Sequence, residues 1–386
     1  MPIETPDSPP PGKDQDYYFD DFMEQVDKGR LGENQWIPYP LDRWSWRIGS
    51  KKRMYHLIGG DSGTGKSAFV DLVYILKAYE WYKQDTETNI DLEIYLRSME
   101  RSKEFRVAKW VCWKLFMDYG ILIDVKSVLG WVPSDDPLGQ PIYEKIQKCR
   151  EYFTKMQDEV LTIIDGPQNP TGIQKHIKYI ASQNGTRQKK SDYDRGGYIP
   201  DNEDKLVIYI LDHIGCMRRE RGYSEKDNLD KATEYLQTAR DRYGFMTVVV
   251  NQFNRSLSDA QRRSDLTAIP EKQDFKGSSN MYEDCDCAIA LFNPDEYGIK
   301  KSAGYNIPSF VSPEGYNRYR SAHLLKSTYG GDNINLGLNF VGECGHFEVL
   351  PPPGEMAQKD YELAATLAHY RKDASSEGYS ISTSGS

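Results

Sequence analysis

The chain has 386 residues, a formal net charge of −9 and a pI near 5.4. That length can bury a substantial core in one large domain or two smaller ones, and the acidic balance excludes a generally basic nucleic-acid coat while leaving room for a local basic channel. No stretch approaches about eighteen apolar residues, which excludes a membrane-spanning helix, and the acidic, proline-rich start MPIETPDSPPPGKDQD is unlike a signal peptide.

In chain order, residues 1 to 16 read as disordered, and the tryptophan- and proline-bearing stretch NQWIPYPLDRWSWRIGS is expected to pack on the core as irregular structure. The strand-like runs are RMYHLIG, LEIYLRS, LTIID, KLVIYILD, TVVVNQ, CAIALF, SAHLLKS and LNFVG. Helical spacing lies between the first several, over 66–83, 101–119, 171–183 and 228–243. This alternation predicts an α/β fold whose mostly parallel, twisted sheet carries helices on both faces. Short connections between the later strands predict an antiparallel edge. Residues 181–205 are polar and turn-rich and read as a surface insertion. The expected division is an extended or disordered segment over 1–31, a core over 32–352, and a C-terminal helix with a disordered Ser/Gly tail over 353–386. The six cysteines are scattered; Cys285 and Cys287 are expected on one face of a strand, with no second pair at zinc-ligand spacing. Reduced thiols and a cytoplasmic setting follow.

The sharpest signal is LIGGDSGTGKSAFVDL, residues 57 to 72. It fits G-x-x-x-x-G-K-[ST] through Gly60, Gly65, Lys66 and Ser67, between a strand-like run and a helical one. Glycines let the backbone of Gly60, Asp61, Ser62, Gly63, Thr64, Gly65, Lys66, Ser67 and Ala68 curl so that its N–H groups face one point. A helix starting near Lys66 aims its positive end there. In this pattern Lys66 reaches the β- and γ-phosphates and the Ser67 hydroxyl ligates Mg²⁺, so ATP and Mg²⁺ are the expected cofactors.

Phosphoryl transfer also needs a second metal partner and a means to activate water. KLVIYILDHIG ends a buried strand on Asp212, a carboxylate that is costly to bury unless it meets a cation. LEIYLRSMERS puts Glu100 just past another strand. Glu100 there could deprotonate water; equally, it could be an acidic residue at a solvated helix start. TVVVNQFNRS offers Asn251, Gln252 and Asn254 at a third strand end, where an amide can register the γ-phosphate or simply serve a turn. His213 is read as packing or hydrogen-bonding beside Asp212, and the other histidines are not at metal-ligand spacing.

These segments, in this order, resemble the RecA-type P-loop ATPase core of the DnaB-like replicative helicases, phage members included. GGDSGTGKS, RSMERS, ILDHIGCMRR, VVVNQFNRSLSDAQRR, DFKGSSNMYEDCDCAIAL and LLKSTYGGDNINLGLNF carry the resemblance over roughly residues 32 to 350. It implies a RecA-like ATPase domain, Glu100 as catalytic base, Gln252 as phosphate sensor, and Lys326 as a cation reaching a neighbouring subunit's ATP. It further implies an ATP-dependent helicase or translocase in DNA replication, forming a ring that is expected to be hexameric and moving 5′ to 3′ on single-stranded DNA. In such rings the loops after the metal acid and after the sensor strand face the central channel. Here they offer Arg218, Arg219 and Arg221, then Arg255, Arg262, Arg263, Lys272 and Lys276, as contacts to the strand. Mixed-charge solvated loops are the alternative reading.

Three departures accompany the resemblance. Thr328 stands where the family's trans-acting arginine is expected, with Arg318 or Arg320 as possible substitutes. Residues 1–50 are too few for the family's N-terminal domain or primase, which implies a phage or mobile-element source, a host cytoplasm setting, and reliance on a separate primase or loader. The 181–205 insertion is not a family feature. A RecA-like DNA-binding ATPase that loads, remodels or pairs strands without unwinding is the second reading.

Overall fold

The computed structural model describes residues 15–33, 35–84, 88–131, 138–187, 197–254, 269–275, 279–331 and 334–370. The expected disorder at the start and end of the chain falls mainly on 1–14 and 371–386, outside the described residues.

The elements in order are helix α1 (Gln15–Arg30), strands β1 (Ile37–Pro38), β2 (Gly49–Ser50) and β3 (Tyr55–Gly60), and helix α2 (Lys66–Val70), which widens into a π-turn at Asp71–Leu76 and continues as α3 (Lys77–Gln84). Then come β4 (Asp91–Ser98), α4 (Lys103–Tyr119), α5 (Val125–Val128), α6 (Gln140–Glu159), β5 (Leu161–Asp165), α7 (Pro170–Gln183), β6 (Gly185–Arg187), β7 (Tyr198–Pro200), β8 (Lys205–Asp212), α8 (Glu225–Tyr243) and β9 (Met246–Gln252). The chain continues through α9 (Ser279–Asp284), β10 (Cys287–Phe292), β11 (Lys301–Ser302), β12 (Tyr305–Asn306), β13 (Tyr319–Ser327), β14 (Ile334–Val341), β15 (His346–Val349) and α10 (Gln358–Thr366).

Nine strands form one sheet in the order β15-β14-β13-β10-β3-β9-β8-β4-β5. From β10 to β5 all neighbours are parallel, and β13, β14 and β15 add the antiparallel edge. The parallel strands are near-continuous apolar runs because both faces are covered. Alternate residues go to opposite sides. Ile58, Ile208, Ile210, Val248 and Val250 pack with Phe69, Trp110 and Trp113. Leu57, Tyr209, Leu211 and Val249 pack with Ile173, Ile177, Leu229 and Leu236.

Helix ends follow local chemistry. Ser102 caps α4 by accepting from Phe105 N, and Gly120 ends it at φ +68. Ser224 and Asp227 form a reciprocal capping box at the start of α8.

Several expectations change. Residues 15–30 form a helix rather than an extended segment; i,i+4 and i,i+3 ion pairs (Lys28–Glu24, Arg30–Asp27) line it, with Phe19 and Phe22 exposed. The insertion is partly built into the fold: α7 runs to Gln183, β6 pairs with β7, and Tyr198 stacks edge-on against Tyr243. The C-terminal helix expected after the core packs onto it, Tyr361 and Ala364 lying with Phe310, Tyr319 and Leu350. Cys285 lies before β10 and packs on one side of the sheet while Cys287 packs on the other, so the two do not share a face. Among the described residues no helix is long and apolar enough to cross a membrane.

Candidate nucleotide site

The strand order brings the separate motifs to one end of the sheet. Gly60 ends β3 and pairs in register with Gln252 at the end of β9. Next along the sheet, Asp212 ends β8 opposite Ser98 of β4, and Glu100 follows Ser98 by two residues. The C-terminal ends of adjacent parallel strands form the crevice where α/β sheets bind ligands.

The loop itself is glycine-dependent at two places. Gly65 has φ +93 and Phe340 and Phe347 lie against it, so a Cβ would come within 2.8 Å of both rings. At Gly60 a Cβ would fall 2.6 Å from the Leu291 carbonyl oxygen. Thr64 is buried and its hydroxyl donates to Asp61 O at 2.8 Å. Lys66 Nζ donates to the same carbonyl at 2.6 Å. Burial pulls the Lys66 amine down to about 8, while the carboxylates of Asp61, Glu100 and Glu296 partly oppose that. A desolvated ammonium amid glycine backbone is suited to an anion. Tyr297 donates to Asp61 Oδ2 and Asn293 to Glu296 Oε1, so the turn after β10 braces the loop.

Asp212 is 1% exposed. Its Oδ2 accepts from Arg106, which also donates to Asp71 Oδ1 at 2.7 Å. Asp212 Oδ1 is buried with no hydrogen-bond partner among the described residues. A carboxylate with one oxygen held and one unsatisfied fits a hard divalent cation, which takes oxygen ligands. Glu100 is partly solvated; Arg101 lies 3.7 Å from Oε1 and His213 3.4 Å from Oε2.

Lys326 sits elsewhere. It pairs with Ala288 near the start of β10, whereas Leu291 near the end of β10 pairs with Gly60. Its Nζ donates to the carbonyls of Tyr282 and Glu283. Within one chain it is therefore not brought to the phosphate loop. Thr328 bonds to Asp286 O through both its N–H and its hydroxyl. Of the two possible substitutes, Arg318 is buried in a two-point pair with Glu343, and Arg320 is buried with its Nη1 on the carbonyls of Asn317 and Tyr319.

Of the expected strand contacts, Arg218, Arg219 and Arg221 lie on the exposed segment after β8, at the same end of the sheet as the phosphate loop. Arg219 pairs with Glu225 at 2.6 Å. Lys272 is exposed on a single turn beside the end of β9: Phe253 bridges Phe275, and Asn254 N donates to Asp274 O. Arg255, Arg262, Arg263 and Lys276 lie outside the described residues.

Glu220 anchors the first segment, accepting from Lys231 at 2.5 Å and from Thr171 N at 2.7 Å. These bonds, Lys231 first, hold its carboxyl at about 2. Because that value lies below the usual 4.5 or so, its stabilisation is full above the unfolded value and is lost as pH falls toward the folded one. Glu220→Gln should cost about 1–2 kcal/mol at pH 7, the gap closing between about pH 4.5 and 2, as read by urea unfolding at each pH.

Arg106, Asp71, Glu296 and Tyr297 carry no mark of the site in the sequence alone, except that Arg106 stands four and seven positions before Trp110 and Trp113, on the apolar stripe of α4.

No family model and no curated protein matches this chain. Solved structures do. The ATPase domain of G40P superposes with a TM-score of 0.61 at 16% identity, covering 87% of this chain and 98% of that one. A DnaB-like replicative helicase, studied with its primase interactions, superposes with a TM-score of 0.60 at 16% identity, covering 86% of this chain and 66% of that one. The chain thus has the RecA-like P-loop fold of the ATPase domains of DnaB-like replicative helicases.

Proposed function

We propose that the chain is an ATP-dependent DNA helicase or translocase of the DnaB type, working as a ring on single-stranded DNA. The observation that carries this reading is the convergence of Lys66, Ser67, Glu100, Asp212 and Gln252 at the ends of four adjacent strands in this fold. The loop N–H groups and Lys66 hold the triphosphate. Ser67 and Asp212 are the residues that would hold Mg²⁺, which when bound neutralises phosphate charge. Glu100 accepts a proton from the attacking water, and Gln252 reports the γ-phosphate to the segment beyond β9. Lys326, remote from its own loop, acts on the site of a neighbouring copy. Arg218, Arg219 and Arg221, with the basic residues after β9, track the strand's phosphates. Hexameric assembly, 5′ to 3′ travel, a separate primase or loader, and a host-cytoplasm setting belong to the same proposal.

One observation favours a second reading, a RecA-like ATPase that loads or remodels strands without unwinding. Thr328 is tied to Asp286, and Arg318 and Arg320 are held inside their own chain. A site short of a trans guanidinium suits a slow switch, because such a group can contribute several powers of ten in rate.

ATP hydrolysis measured with and without single-stranded DNA, followed by strand displacement on a forked duplex with a 5′ tail, separates the two. DNA-stimulated hydrolysis with displacement supports the motor, and stimulation alone supports the switch. Lys66→Ala should abolish hydrolysis in either case. A wild-type chain indistinguishable from Lys66→Ala defeats both.

A further inference from the structure

His213 Nε2 lies 3.4 Å from Glu100 Oε2 and 3.2 Å from Cys216 Sγ. The imidazole is mostly enclosed, with 15% of its side chain exposed against 43% for Glu100. Gly215 leaves room for the ring: a Cβ there would come within 3.1 Å of Cε1 and Nδ1. The contact crosses between strands, because His213 follows β8 while Glu100 follows β4. The two strand ends are tied by Met99 N donating to Asp212 O at 2.7 Å. Consecutive residues thus face different partners, Asp212 toward Arg106 and His213 toward Glu100. Immediately beyond Cys216 the chain enters the segment carrying Arg218, Arg219 and Arg221, where Arg218 N donates to Gln168 O at 3.0 Å.

Glu100 is a long side chain with much rotamer freedom to lose. Misplacing a catalytic group by about 1 Å can cost on the order of a hundredfold in rate. Arg101, which also lies near Glu100, is itself 57% exposed and is a poor clamp. The ring in its slot is the better-fixed neighbour, and its slot is made by the same turn that leads into the basic segment.

We propose that His213 is a positioning residue, holding Glu100 through its Nε2 and transmitting to it the state of residues 217–223. This inference rests on the proposed ATPase reading. DNA phosphates bound by the basic segment shift the turn at 214–216, and the turn carries the ring. The ring then sets the Glu100 carboxylate. In the reverse direction, nucleotide at the loop draws on Glu100, the ring and the turn, and so alters affinity for DNA.

Two ratios test it. One is the turnover of ATP with and without oligothymidylate. The other is oligothymidylate affinity, read by fluorescence anisotropy, with and without a non-hydrolysable ATP analogue. Each ratio should be at least about fivefold in the wild type, the usual size of a coupling between sites. His213→Ala should bring both to within about twofold of unity without weakening nucleotide binding. His213→Gln, whose amide nitrogen can stand near Nε2, should restore both. If His213→Ala fails to fold, Gly215→Ala reads the same coupling by crowding the ring, and should lower both ratios. Unchanged ratios in His213→Ala or, failing that, Gly215→Ala overturn the inference, as does a His213→Gln that behaves like alanine. A wild-type chain that neither hydrolyses ATP nor binds oligothymidylate overturns the ATPase reading itself, and is told apart because no substitution is involved.

Discussion

Glu100→Gln should lower the rate of ATP hydrolysis by about 10²–10⁴-fold while leaving nucleotide affinity within about threefold of wild type. Glutamine keeps the size and the polar end of the side chain but cannot accept the proton of the attacking water. The side chain follows β4 by two residues, across the sheet end from the loop, and its charge acts on Lys66. Removing that charge takes away only part of what keeps Lys66 protonated, since Asp61 and Glu296 act on it as well, so the grip on phosphate is largely kept. Single-turnover hydrolysis with a separate binding titration checks the split. A variant that hydrolyses at the wild-type rate removes Glu100 from the chemistry. One that fails to bind nucleotide gives it a structural task instead.

Arg106→Met should cost about 3–5 kcal/mol of stability. Arg106 is 3% exposed and bridges Asp71 and Asp212, both buried. Its Nε also donates to Ser98 Oγ at 3.3 Å, and that hydroxyl donates to Arg101 O at 2.6 Å. One guanidinium thus joins the π-turn after α2, the end of β4 and the end of β8. Methionine matches its length but strands two carboxylates in a low-dielectric interior. Urea unfolding should show a lower midpoint with an unchanged slope. A loss below about 1 kcal/mol would mean that solvent already reaches the cluster.

The sheet's architecture was largely legible, because buried parallel strands need long apolar β-rich runs and these are unmistakable in KLVIYILD and CAIALF. The antiparallel edge followed from short connections. β15, four residues after a tight turn, is too short to stand out. α1 and α6 went unread because their stripes are diluted by charge: ion pairs along α1 and a few buried positions on α6 do what a broad apolar face does elsewhere. Cys285 and Cys287 were misplaced because period-two alternation applies only once the strand has begun.

The loop's chemistry is written locally in the chain. Gly60, Gly65, Lys66 and Ser67 are close in the chain, and the backbone conformations open to glycine are enough to curl them around one point. The end-of-strand positions of Glu100, Asp212 and Gln252 were also readable, since each follows an apolar run. Their nearness was left to the tertiary structure. Only the order β3-β9-β8-β4 sets those ends side by side, and that order depends on long-range pairing between strands far apart in sequence. The same holds for Arg106 between its two aspartates, for His213 against Glu100, and for Lys326 at the far end of β10. Local spacing encodes conformation, whereas which charges meet is decided by how a sheet is threaded.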